Sequence, residues 1–175
     1  MELIPHESSY SAAIKAIAAD VGDGGNELSL NYAVAGDISA LVVPAPAEPG
    51  RTDELWRTTC FELFVRGEGL TYCEFNFSPS GQWAAYRFDS YRSDVRELAL
   101  PQPPHIAVDS TAERLTMSVA MILQLPAEAR IGLSAVIEAA DGRKAYWALA
   151  HPPGPADFHH DACFAAAPPA MAARS

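Results

Sequence analysis

The chain has 175 residues, of which 49% are apolar and 19% charged, the balance of a folded globule rather than a disordered segment. A chain of this length buries about 70% of its unfolded surface, so its core needs neither a disulfide framework nor a metal. Twelve Lys and Arg against 22 Asp and Glu leave a net charge of −10, which repels phosphate backbones and anionic lipid and excludes nucleic acid and membrane surfaces as partners.

In chain order, the start Met-Glu-Leu-Ile-Pro-His-Glu is acidic and broken by Pro5, without the basic start and apolar run of an export signal. No apolar run reaches membrane-spanning length. Cys60, Cys73 and Cys163 include no C-x-x-C pair, so free thiols and a cytoplasmic setting are expected. Helical character is confined to residues 11–20, which read equally as an edge strand, and to 126–129. Short runs rich in aromatic and branched residues at 28–35, 40–43, 61–65, 72–77, 83–88, 106–109, 115–121, 131–137 and 145–149 read as strands. Pro/Gly-rich loops at 44–50, 100–105 and 152–155 separate groups of them. The expected fold is an all-β antiparallel sandwich with little helix, one domain over 1–165 followed by a frayed Ala/Pro-rich tail at 166–175.

Side-chain alternation points to a face. In 60–65, Phe61, Leu63 and Val65 share one side, leaving Cys60, Glu62 and Phe64 on the other; in 72–77, Cys73, Phe75 and Phe77 oppose Tyr72, Glu74 and Asn76. Pairing the apolar sides puts Glu62 and Glu74 on a common face, directly opposite or offset. If Ser78-Pro79-Ser80-Gly81 forms a four-residue loop, Phe75 pairs with Ala84, and Trp83 and Arg87 join Tyr72, Glu74 and Asn76. A five-residue loop would break that grouping. Carboxylates, an amide, a guanidinium and aromatic rings on one surface suit a sugar, whose C–H face stacks while its hydroxyls are hydrogen-bonded. A plain Glu62–Arg87–Glu74 ion-pair network on a solvated face is the competing reading.

The segments DELWRTTCFELF (53–64), YCEFNFSPSGQWAAYRFDSYR (72–92) and AYWALAHPPGPADFHH (145–160) resemble the DOMON-like domain, a group related to the family 9 carbohydrate-binding modules. The resemblance covers roughly half of the chain and implies a jelly-roll-like sandwich that binds a sugar or a haem. It implies that Glu62, Glu74, Asn76, Trp83 and Arg87 lie within or beside the shared pattern. It makes Trp56 and Trp147 candidate stacking rings, although Trp147 sits in an apolar run that also suits a packing role.

Other chemistries are weaker matches. Haem would need axial ligands such as Met117 or Met121 with a histidine, yet evenly spaced methionines more often fill cores. His151, Asp157, His159, His160 and Asp161 could contribute to a metal site. Adjacent histidines on an extended segment point apart, however, and no zinc spacing occurs. Glu62 and Glu74 resemble the carboxylate pair of a glycosidase; no serine elbow, dinucleotide fingerprint or phosphate loop is present. The expectation is therefore a non-catalytic, cofactor-free module binding a small polar ligand, foremost a carbohydrate, through Glu62, Glu74, Asn76, Trp83, Arg87, Tyr72 and Trp56. The alternative is a protein-interaction module using the same aromatic face.

Overall fold

The computed structural model describes residues 1–9, 12–24, 26–126 and 128–168. Eleven strands form it: β1 (Glu2–Pro5), β2 (Ile14–Asp23), β3 (Glu27–Gly36), β4 (Cys60–Arg66), β5 (Tyr72–Phe77), β6 (Trp83–Phe88), β7 (Arg96–Glu97), β8 (His105–Ser110), β9 (Arg114–Ile122), β10 (Arg130–Glu138) and β11 (Lys144–Ala148). They run in the order β7-β6-β5-β4-β10-β11-β1-β2-β3-β9-β8, and every ladder between them is antiparallel. The sheet folds on itself at β1, which pairs with β11 through Ile4 and Pro5 and with β2 through Glu2 and Leu3. The result is the expected all-β sandwich. Helical structure among the described residues is limited to single 3-10 turns, and no helix is long and apolar enough to cross a membrane.

Alternation explains the layer formed by β2, β3, β9 and β8. Leu28, Leu30, Tyr32 and Val34 of β3 and Leu115, Met117, Val119 and Met121 of β9 point inward, with exposed or half-buried residues between them. They meet Phe61, Leu63, Val65, Phe75, Phe77 and Leu133 from the opposite layer in one core, and the Tyr32 hydroxyl donates to the Glu62 carbonyl across it at 2.7 Å. Met117 and Met121 are buried in that core, out of reach of a haem. Trp147 packs in it too.

Two expected elements come out differently. Residues 14–20 are neither helix nor edge strand but part of β2, between β1 and β3; Ser11 lies outside the described residues. A register shift between Ile14 and Ala16 turns both Ile14 and Ile17 inward, which gives three-residue spacing inside a strand. Residues 40–43 form no strand. Asp37 accepts from the Ser39 amide (3.1 Å) to cap a 3-10 turn at Ile38–Ala40, and Leu41 makes a lone bridge to Ala139. The suggested helical stretch at 126–129 includes Ala127, outside the described residues; around it, Ala129 N–H bonds the Pro126 carbonyl in a turn. In the tail, Ala166 exchanges two backbone hydrogen bonds with Ile131, and 169–175 lie outside the described residues.

Unlike β3 and β9, strands β4 and β10 are buried on both sides over most of their length. The outer face of their layer is partly roofed by residues 51–59 and 151–164. Gly132 of β10 permits this roof. A Cβ there would stand 2.8 Å from the Cys163 carbonyl oxygen, so the chain could not lie so close over any other residue. The Cys163 thiol in turn reaches the Ala150 and Asp157 carbonyls at 3.1 and 3.2 Å, tying the roof segment together.

Candidate functional site

Between the two roofing segments a cleft of about 740 Å³ opens onto the outer face, within the size range of small-molecule sites. Its floor is made by Glu62 and Phe64 of β4, Glu74 of β5, Tyr86 and Phe88 of β6, Val136 of β10 and Tyr146 of β11. Its walls are Asp53, Glu54 and Trp56 on one side, Pro155, Ala156, Phe158 and His159 on the other, with Arg92 and Val95 closing an end. Two of these residues, Glu54 and Arg92, have left-handed backbones (φ 62° and 50°), a costly conformation for a side chain with a Cβ and one concentrated at functional sites.

The register of β4, β5 and β6 decides which side chains reach the floor. Asn76 stands opposite Glu62 and Phe64 opposite Glu74, so the two carboxyls share the face but sit diagonally. The β5–β6 hairpin differs from the four-residue loop. Phe77 pairs with Trp83 and Glu74 with Tyr86, leaving five residues, 78–82, between the strands. Within them the Ser78 amide bonds the Gln82 carbonyl (2.9 Å) and the Gly81 amide the Ser78 carbonyl (3.0 Å), with Gly81 at φ 90°. This is a type I turn followed by a left-handed glycine, and its odd length turns β6 over.

Trp83 and Arg87 therefore leave the site. Trp83 packs into the core between the layers, and Arg87 is exposed on the opposite side, its Nε 4.0 Å from Asp89. Tyr86 and Phe88 take the floor positions. Of the other expected residues, Glu62, Glu74 and Trp56 line the cleft, and Trp56 is 47% exposed at its rim. Asn76 and Tyr72 share the face without lining the cleft. Tyr72 stacks on Phe88 with ring centroids 4.7 Å apart and planes 4° from parallel.

The floor's polar groups are tightly held. Ser134 Oγ donates to Glu62 Oε2 (2.9 Å) and Asn76 Nδ2 to Glu74 Oε1 (2.8 Å). The carboxyls are 3% and 6% exposed. Burial raises both pKa values, and for Glu62 the neighbouring Glu74 charge adds to the rise. Near neutrality the two carboxyls together therefore retain protons that an exposed pair would have released.

Beside Glu74, the Arg92 amide donates to the Tyr72 oxygen (3.1 Å), which lies 2.8 Å from His159 Nδ1. The other ring nitrogen, Nε2, lies 3.6 Å from Glu74 Oε2. Burial, with the Arg92 charge adding to it, pulls the His159 pKa down to about 4. His160 faces elsewhere, its Nδ1 accepting from the Ala162 amide, and His151 bonds the Ile4 carbonyl.

Tyr86, Phe88, Arg92, Ser134, Tyr146, Phe158 and His159 were not assigned to the site from sequence. Tyr86 and Phe88 were accessible through the turn: Ser at the first, Pro at the second and Gly at the fourth position is a type I signature. His159 and Phe158 arrive on a segment whose path over the sheet has no local sequence signal.

No protein-family model and no curated protein sequence matches this chain. A solved structure of a candidate carbohydrate-binding protein from Bacteroides uniformis superposes with a TM-score of 0.59 at 14% identity, covering 85% of this chain and 75% of that one. The two share a sandwich fold.

Proposed function

We propose that this protein is a non-catalytic carbohydrate-binding sandwich of the DOMON-like type, with its sugar site in the cleft above β4, β5 and β6. The observation that carries this reading is the composition of the cleft. Hydrogen-bonding groups are fixed in its floor by Glu62, Glu74 and their Asn76 and Ser134 partners, beside aromatic rings from Tyr86, Phe88 and Tyr146 in the floor and from Phe158 and Trp56 in the walls. Hydroxyls meet the acceptors while a ring face lies on the aromatics. The concave shape supports a small ligand over a protein partner, which a flatter patch would suit. The sandwich shared with the Bacteroides uniformis protein is compatible with the reading.

Calorimetry against a panel of mono- and disaccharides tests it. Millimolar or tighter binding is expected, weakened at least tenfold by Trp56→Ala and unchanged by Arg87→Ala. The absence of heat with every sugar at millimolar concentration would defeat it.

A further inference from the structure

Resting on that reading of the site, we propose that the preferred ligand is cationic: an amino sugar whose ammonium group sits against Glu62 and Glu74. The reason is that, among the described residues, neither acid has an ion-paired cation; the Arg92 charge acts on both, but its guanidinium is paired with Asp157. Around the cleft, Asp53 is matched by Arg51 at 2.9 Å, Glu54 by Arg57 at 2.6 Å, and Arg92 by Asp157 at 2.8 Å. His159 is neutral. Once these are set aside, Glu62 and Glu74 remain, buried and adjacent on the sheet, and among the described residues no Lys or Arg forms an ion pair with either. Arg87, the arginine that alternation brought to this face, lies on the other side.

Asn76 adds an independent sign. Its side chain is fully buried and stands opposite Glu62, with its Nδ2 committed to Glu74. Its Oδ1 has no donor among the described residues. A buried acceptor without a donor is costly and uncommon in folded proteins. The cleft floor thus offers two carboxyls backed by an amide oxygen, and an ammonium group, with three N–H donors and a positive charge, favours the ionised, acceptor-only form of those carboxyls on binding. A neutral sugar would supply hydroxyl donors but no charge, and a uronic acid would meet repulsion.

Calorimetry at pH 7 with glucosamine, glucose and glucuronic acid, plus spermidine as an amine that is not a sugar, separates the possibilities. Glucosamine is expected to bind at least tenfold tighter than glucose, and glucuronic acid more weakly than either. The preference should shrink to within about twofold in Glu74→Gln and in Glu62→Gln, with thermal melts confirming that both variants fold. Equal affinity for glucosamine and glucose, a preference for glucuronic acid, or a preference unchanged in both variants would overturn the amine proposal while leaving a sugar site standing. Binding of spermidine alone would keep the cationic ligand and remove the sugar. Silence from all four would remove both.

Discussion

Replacing Glu62 by Gln should change how stability depends on pH. In an unfolded chain a glutamate titrates near about 4.3, whereas burial raises both Glu62 and Glu74 in the fold. Between the unfolded and folded values the native state holds protons that the unfolded chain has released, so this contribution is complete at low pH and is lost as pH rises through the folded values. His159 works in the opposite sense. Its folded value of about 4 lies below the unfolded value near about 6.5, so its contribution grows with pH up to about 6.5 and is constant above. Below that point the two partly cancel, and above it the carboxyls act alone. One proton held only by the fold costs about 1.4 kcal/mol of stability per pH unit gained. At roughly 2–4 °C per kcal/mol for a chain of this size, the melting temperature should fall by about 3–6 °C between pH 6.5 and 7.5. Glu62→Gln removes one carboxyl and the like charge beside the other while keeping an acceptor for Ser134, so its curve should be flatter and cross above the wild type. Thermal unfolding followed by circular dichroism at half-unit pH steps measures both, and groups common to the two proteins cancel in the difference. Parallel curves from pH 6.5 to 7.5 would show that Glu62 is not held protonated.

Trp83→Ala should lower stability by about 3–5 kcal/mol, as for a large ring removed from a core, while Arg87→Ala stays within about 0.5 kcal/mol; denaturant titration of the two distinguishes a core β6 tryptophan from a surface one. Gly81→Val should cost about 1–2 kcal/mol because the left-handed turn position excludes a branched side chain, measured by the same titration. Tyr72→Phe removes the hydroxyl between the Arg92 amide and His159 and should cost about 1 kcal/mol. An NMR titration of His159 should then show its protonation altered, and an unchanged imidazole signal would remove the link between the two.

The fold was legible because its strands obey simple alternation. Residues 28–35 and 115–121 each have one wet and one dry side, and the structure extends them by no more than a residue at either end. Alternation failed where it was interrupted: the shift after Ile14 mimics a helical spacing, and the Asp37 cap diverts residues 40–43. The common face of Glu62 and Glu74 was legible for the same reason, since parity needs only the two apolar sides to meet. Trp83 and Arg87 depended on the length of a hairpin, where one residue reverses every side chain beyond it. The cleft walls had no period to read. Phe158 and His159 reach the site through the close passage over Gly132, a long-range contact that local pattern does not encode.

The division of the cleft between floor and walls has consequences for its evolution. The paired acids are anchored in the hydrogen-bonded ladder and backed by the sandwich interior, whereas Trp56, Pro155 and Ala156 belong to connections that the ladder does not constrain. Substitutions in those connections can reshape the cleft's opening without disturbing the acids at the bottom. Descendants of this scaffold would then diverge in ligand size while retaining a taste for the same functional group.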